Sequence, residues 1–443
     1  MLAATLLAGL SITSAHAALL GPVQLPLLPW LRPNAPTPSP PASHMTFRLR
    51  HLHAVHPETH SNLFKDVDHE VSSFASEPSL SLRTSRVSVH RPRSQSAFHE
   101  ARTSSRLWGH SSLIDWDEDE IEGPDVTDRE TLLLLAKMTN DAYLSPGESG
   151  WYDLGDQWNT SYPFGWEPDA DGFRGHIFAT EDNSTVILSI KGTSAGIVGG
   201  GGPTSKKDKL NDNLLWSCCC ARVDWTWTTV CGCYSGPNKC DANCLEDAMT
   251  EESLFYPVGT NLYNNVSYLY PNSNIWVTGH SLGGGLASLI GATFGVPVVA
   301  YESPGEVLAA KRLHLPTPPA LTHITHVYHN ADPVPLGACT GATSTCYYGG
   351  FALETRCHLG KSIIYDTVNG EGYKWAVDIR THGIKTIIDS ILSKNGSVPV
   401  AEPEDDCVEC YQWEFGDFKN GTKKATSANG LIDRTSNPSC SGL

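Results

Sequence analysis

The spacing of apolar and polar positions divides this chain into regions of different character. Residues 1–31 are mostly apolar, with Leu2, Leu6, Leu7, Leu10, Leu19 and Leu20 among them and no Lys or Arg before Arg32. Residues 32–110 are rich in Pro, Ser, His and Arg and show no sustained apolar period. They read as a solvated, disordered stalk that buries no core. Organised patterns begin near residue 125. Thr127-Asp-Arg-Glu130 has capping-box spacing, and residues 132–138 continue it as a helix. Residues 184–190 (Ser-Thr-Val-Ile-Leu-Ser-Ile) form a continuous apolar run, as a buried strand would. Residues 274–278, 296–301 and 323–328 give three more strands, and Pro297 is tolerable because it sits at a strand's start. Helical patterns cover 282–293 and the stretch after His382, where Ile384, Ile387, Ile388 and Ile391 recur at i, i+3, i+4 and i+7. Strands alternating with helices predict an α/β fold with a mostly parallel central sheet and helices on both faces. Residues 401–443 are polar and read as a short tail tied down by disulfides.

Length and charge narrow the class. A chain of 443 residues accommodates one large domain with extensions. The net charge is −17 and is unevenly distributed, with ten Arg or Lys against six Asp or Glu before residue 111, and 21 against 42 after it. An acidic body excludes nucleic acid as the partner. Thirteen cysteines, seven of them between Cys218 and Cys244, imply disulfides and an oxidising compartment. The competing zinc reading, on Cys231 and Cys233 or Cys407 and Cys410, lacks a paired ligand array, so no metal and no cofactor are expected. Asn159, Asn183, Asn265, Asn395 and Asn420 each open an N-x-S/T sequon, which favours glycosylation in the secretory pathway. Residues 1–31 then read as a signal peptide, with Ala15-His16-Ala17 as its cleavage site, or as an uncleaved signal-anchor.

The chemistry is carried by Gly279-His280-Ser281-Leu282-Gly283. A G-x-S-x-G pattern is weak by itself, but here a strand ends at Thr278 and a helix opens at Leu282. That is the setting in which a sharp turn exposes a nucleophilic serine. A serine hydroxyl needs a base to take its proton, and in this fold the acid and histidine follow it in the chain. Asp332, just past the 323–328 strand in Asp332-Pro-Val-Pro335, is the expected acid. Two histidines come later. His382, before the last amphipathic helix and 50 residues after the acid, fits better than His358 beside Cys357. Leu282 N–H is one expected oxyanion donor. Thr193, closing the first strand in Lys191-Gly-Thr193, is the other.

These residues resemble the class 3 (fungal triacylglycerol) lipases, which have the α/β-hydrolase fold. Trp276-Val-Thr-Gly-His-Ser-Leu-Gly-Gly-Gly285, Tyr301-Glu-Ser-Pro-Gly305, the cysteine-rich insert, Asp378-Ile-Arg-Thr-His382 and Cys407-Val-Glu-Cys410 resemble one branch more closely, the fungal autophagy-related vacuolar lipases. The resemblance covers roughly residues 110–415. It implies a lipase domain over 111–400, with Ser281, Asp332 and His382 at the triad positions. It further implies a membrane-anchored glycoprotein, with membrane phospholipids and neutral lipids as its partners. Such a protein travels through Golgi and multivesicular bodies to the vacuole lumen, where it lyses autophagic and other intravacuolar vesicles.

The triad itself does not choose among esters. A lipase needs an apolar groove and a mobile lid. Residues 194–230 offer both, with hinge freedom at Gly199-Gly-Gly-Gly202 and an apolar surface from Trp216, Trp225 and Trp227. The competing reading of that stretch is a loop followed by a disulfide-tied insert packed on the core. The competing reading of the whole chain is a secreted, feruloyl-esterase-like serine esterase acting on soluble esters.

Overall fold

The computed structural model describes residues 43–55, 62–66, 80–109, 113–145, 148–152, 172–180, 183–194, 205–250 and 254–418. The expected anchor at 1–31 lies outside them. So do Gly199 to Gly202 of the expected hinge, Asn159, Asn420 and Cys440.

Eleven strands form one sheet. In chain order they are β1 (Ser43–Val55), β2 (Asn62–Asp66), β3 (Leu80–Pro92), β4 (Trp116–Pro124), β5 (Gly175–Thr180), β6 (Thr185–Ile190), then β9 (Asn274–His280), β10 (Val298–Tyr301), β11 (Ile324–His329), β12 (Lys361–Tyr365) and β13 (Glu402–Pro403). The short strands β7 (Tyr234–Gly236), β8 (Lys239–Asp241) and β14 (Glu414–Gly416) make a separate ribbon. Across the large sheet the order is β13-β12-β11-β10-β9-β6-β5-β1-β3-β4, with β2 paired to β1. The five central strands β12, β11, β10, β9 and β6 are parallel. The flanks continue antiparallel. This is the expected α/β architecture, with its parallel part where the buried apolar runs lie.

Helices cover both faces. One face packs α5 (Phe255–Leu269) and α6 (Leu282–Phe294). All thirteen residues of α6 are buried, and each of its Leu and Ile side chains stabilises the fold by about 1.5–3 kcal/mol. The other face packs α2 (Arg129–Asp141) and the C-terminal turns built on Ile384, Ile387, Ile388 and Ile391. Polar bonds lock α2 to the sheet: the Tyr301 hydroxyl donates to Leu132 O at 2.7 Å, and the Thr139 and Thr278 hydroxyls meet at 2.8 Å. The α2 cap falls one residue later than the capping-box reading. Asp128, not Thr127, accepts from the Thr131 amide, at 2.8 Å. An aspartate serves this role as well as a threonine does.

The reading of 32–110 as a disordered stalk is corrected for the described residues 43–55, 62–66 and 80–109; the rest of that range lies outside them. β1 and β3 are inner strands of the sheet, and α1 (Gln95–Trp108) docks on the body. Leu82, Val89, Phe98 and Ala101 are fully buried. Arg102 donates to Leu313 O at 2.7 Å. The charge split has a structural partner too. Basic β3 pairs with acidic β4, and Arg83, Arg91 and Arg93 meet Asp125, Asp119 and Asp117. Such exposed pairs add little stability, but they match the register. The segment showed no long apolar period because its few buried residues pack on other elements, Leu82 on the α2 cluster and Phe98 on Trp116.

Of the two readings of residues 194–230, the described part follows the second, a disulfide-tied insert packed on the core. Residues Ser205–Leu215 form helix α3. Trp216 is not a surface aromatic: its ring is fully buried and stands where a Cβ on Gly285 would be. After it, the chain is tied by Cys218–Cys410, Cys219–Cys240, Cys220–Cys231 and Cys233–Cys244. Cys339–Cys346 and Cys357–Cys407 complete six bridges among the described residues. The sulfurs of Cys220, Cys231 and Cys233 lie close enough to suit a metal, but each is already in a disulfide.

Candidate active site

The turn between β9 and α6 places Ser281 at φ 56°, ψ −127°. This backbone conformation is strained for any residue with a Cβ. Close packing holds it. A Cβ on Gly279 would fall on the Gly283 carbonyl, and one on Gly283 would fall on the backbone of Ile190 and Lys191. The two glycines of the motif therefore let strand, turn and helix touch through bare backbone. The Ser281 amide is anchored on Tyr301 O at 2.9 Å.

His382 Nε2 lies 2.8 Å from Ser281 Oγ, and His382 Nδ1 lies 2.6 Å from Asp332 Oδ2. Because Nδ1 faces a carboxylate it carries the proton, which leaves Nε2 to accept from the serine. Asp332 is fully buried just past β11, and its Oδ1 accepts the Val334 amide at 2.9 Å. Burial would raise the Asp332 carboxyl, but the His382 ring and its hydrogen bond hold it below the ordinary value. The histidine turn is fastened to the aspartate loop, since both the Asp378 amide and the Thr381 hydroxyl donate to Ala331 O at 3.0 Å. The other candidate, His358, is placed elsewhere. Its Nδ1 meets Glu404 at 3.0 Å and its Nε2 meets Ser303 O at 3.1 Å. Both ring nitrogens face acceptors, so both carry protons. Burial opposes that charge, but the Glu404 hydrogen bond, the charges of Glu306 and Glu404 and the Ser303 carbonyl together outweigh it and raise the His358 pKa. A doubly protonated ring cannot take a proton from a serine.

Leu282 opens α6 directly after Ser281, with its backbone N–H in the first turn. Gly192 and Thr193 lie against the turn, since a Cβ on Gly192 would meet His280 O and the Ser281 side chain. The Thr193 hydroxyl donates to Asp212 Oδ2 at 2.5 Å and the Ser194 amide to Asp208 Oδ2 at 2.8 Å. Burial pushes the Asp212 carboxyl up to about 7. Lys191 pairs with Asp208 at 3.3 Å in the same buried cluster. The two α3 aspartates, spaced i and i+4, escaped the sequence reading because Ser205-Lys-Lys-Asp-Lys-Leu-Asn-Asp212 looks like a solvated face. His280 was also missed as more than a spacer. Its Nε2 donates to His382 O at 2.8 Å and its Nδ1 accepts from Tyr143 at 2.7 Å. Burial lowers its pKa to about 3, so the ring stays neutral and holds the backbone of His382. Of the sequon asparagines, Asn183, Asn265 and Asn395 are described, and all three are exposed.

Comparison with known proteins adds the lineage. A family model described as Lipase (class 3) matches residues 243–339. A protein of Cryptococcus neoformans var. neoformans named "Putative lipase ATG15" is 50% identical over 369 residues, covering 69% of this chain and 70% of that protein. A protein of the same name from Yarrowia lipolytica is 39% identical over 425 residues, covering 88% of this chain and 76% of that one. Among solved structures, the nonglycosylated Yarrowia lipolytica LIP2 lipase matches at 16% identity and a TM-score of 0.28 over 54% of this chain and 81% of its own, too slight a likeness to bear on the argument. The chain belongs to the ATG15 family of class 3 lipases and is a serine-dependent carboxylic ester hydrolase.

Proposed function

We propose that Ser281, His382 and Asp332 hydrolyse acyl esters of membrane lipids, and that the biological substrate is the membrane of autophagic and other intravacuolar vesicles. The observation that carries the chemistry is the hydrogen-bonded chain Ser281 Oγ–His382–Asp332. His382 Nε2 takes the hydroxyl proton as Oγ attacks the ester carbonyl. The oxyanion that forms is met by the Leu282 N–H and a donor from Thr193. The imidazolium, steadied by Asp332, passes its proton to the leaving alcohol, and an acyl-serine remains. Water, deprotonated by the same ring, then releases the fatty acid and restores Ser281. With its hydroxyl turned to Asp212, Thr193 is left to serve through its backbone N–H.

The choice of lipid and place rests on different support. Disulfides and exposed sequons suit a lumenal body, and the relatives' shared name points to autophagy. The apolar residues 1–31 are the proposed anchor. Among the described residues no helix is long and apolar enough to cross a membrane. The test is fatty-acid release by the purified protein from phospholipid vesicles and triglyceride emulsions, near about pH 5 and about pH 7, where an unperturbed imidazole is protonated and neutral respectively. Release from vesicles at the lower pH, lost in Ser281→Ala, is the expected result. Turnover of soluble aryl esters alone would overturn the lipid assignment in favour of a soluble esterase.

A further inference from the structure

Glu302 follows β10 directly, in Tyr301-Glu-Ser-Pro-Gly305. It adopts φ 44°, in the left-handed region that glycine occupies more readily. Its side chain is 1% exposed, and neither Oε1 nor Oε2 has a hydrogen-bond donor at good geometry among the described residues. The nearest ring nitrogen, His329 Nε2, stands 3.6 Å from Oε1, but its own hydrogen bond goes to Thr381 O at 3.2 Å. Among the described residues, the side chain that the Glu302 carboxyl interacts with is the carboxyl of Asp332. A carboxylate placed there would be a buried charge, unpaired and beside a second negative charge, which is the least favourable arrangement for it.

We propose that Glu302 is a positioning residue that stays protonated and donates its carboxyl O–H to Asp332, so that two carboxyls share one negative charge opposite His382. This rests on the triad reading above and deepens it. Asp332 then accepts three hydrogen bonds, from His382 Nδ1, the Val334 amide and Glu302. Burial, followed by the charge of Asp332, drives the Glu302 carboxyl well above the usual range, and the nearby His329 amide opposes this only weakly. The groups facing the pair are few. His329 packs from β11, and burial lowers its pKa, so it brings no charge. His280, from the end of β9, is neutral for the same reason. Tyr328 spends its hydroxyl on Glu404 at 2.9 Å. His382 is the remaining partner.

The consequence is a base adapted to acid. A triad aspartate with its full charge stabilises the imidazolium strongly, so the histidine protonates early as pH falls and activity is lost. An aspartate that already accepts a proton-bearing neighbour stabilises the imidazolium less. The base stays neutral, and the enzyme active, to lower pH. The carboxyl pair nevertheless keeps one charge, which still orients Nδ1–H.

Two measurements on the full chain test this. The first is the pH profile of kcat/KM for a soluble short-chain ester, which needs no membrane. Its acid limb reports the base in the free enzyme. Glu302→Ala should move that limb up by about 0.5–1 pH unit. Glu302→Gln, which mimics the protonated acid in shape and donor capacity, should leave the limb in place. The second is infrared absorption, whose readout is independent of catalysis. The wild-type minus Glu302→Gln difference spectrum at neutral pH should contain the C=O band of a protonated, buried carboxylic acid. An absent band overturns the proposal. So does an unmoved acid limb in a folded Glu302→Ala protein, or a shift in Glu302→Gln equal to that of the alanine variant. Failure of the triad itself would appear separately, as activity retained by Ser281→Ala, while the infrared band would still report on Glu302.

Discussion

The two faces of the central sheet are built by different means. On the face of α2, two helical segments rich in Leu and Ile bury a cluster that contains no cysteine. On the face of α6, the core takes in Trp216 and seven cysteines of the insert and its neighbour loop. The first face has enough regular apolar surface to hold itself. The second must fix the stretch Cys218–Cys244, which contains only two three-residue strands and the start of a seven-residue helix. Cross-links do there what helix packing does opposite. The site draws on both. His382 comes from the disulfide-free face, whereas Thr193 leans on α3 next to the insert. Ser281 stands at the turn between them. Precision at Ser281 comes from backbone contact in a packed core, while the surroundings of Thr193 depend on covalent ties.

The largest expected effect separates the two histidines. Ser281→Ala and His382→Ala should each lower kcat/KM by about 10⁴-fold or more. His358→Ala should keep turnover at low temperature but lower the melting temperature, because Glu404 loses its charged partner. Loss of turnover in a folded His358→Ala protein, with His382→Ala active, would reverse the assignment. Next comes the turn. Gly283→Val should prevent stable folding or abolish activity, since backbone at Ile190 and Lys191 cannot recede as a side chain can. Overpacking in a rigid core costs about 1–3 kcal/mol, occasionally more. A folded, active Gly283→Val protein with an unchanged melting temperature would refute the steric account.

Reduction sharpens the comparison of faces. Native disulfides commonly contribute about 2–5 kcal/mol in small secreted domains. Under mild reductant, hydrogen exchange should therefore rise first in Cys218–Cys244 and α3, and last in α2. Exchange rising first in α2 would mean that the cross-links are incidental.

The smallest effect is the pH dependence of stability, and its sign can be worked out. Burial raises Asp141 and Glu306 to about 8, and Asp212 and Glu354 to about 7. Their protonation favours the fold, fully below their unfolded pKa and progressively less as pH rises through those values. Burial lowers His176 and His323 to about 4 and His280 to about 3. Their contribution is present above about pH 6.5 and falls as pH drops toward those values. Between about pH 8 and about pH 6.5 these carboxyls act, and the raised His358 acts in the same direction, so the melting temperature should rise as the solution is acidified, then level off and fall. A melting temperature that falls steadily from pH 8 downward would contradict this balance.

Much of the central fold was legible in the sequence. The runs at 185–190, 274–280, 298–301 and 324–329 are apolar because they are covered on both faces, and continuous apolar runs are visible without knowing their neighbours. The turn at Ser281 was legible for the same reason: it needs glycines two residues either side, all within one short window. Residues 80–108 were misread because Leu82, Val89, Phe98 and Ala101 are too sparse to form a pattern, and what orders them is contact with strands and loops far along the chain. Trp216 was left open between a lid surface and the core for a related reason. An exposed and a buried tryptophan look alike in sequence, and only the bare backbone of Gly285 beneath the ring decides between them.

The sequence by itself therefore determined what local sterics and periodicity control: the parallel strands, the tight turn at Ser281, and the chain order of Ser281, Asp332 and His382. Tertiary structure alone decided what depends on which acceptors surround a group. It gave His358 two acceptors and His382 one carboxylate and one hydroxyl. It turned the Thr193 hydroxyl toward Asp212, and it set the Glu302 carboxyl beside Asp332. Proton positions follow from neighbours in space, and neighbours 19 to 101 residues apart leave no mark in a local window of sequence.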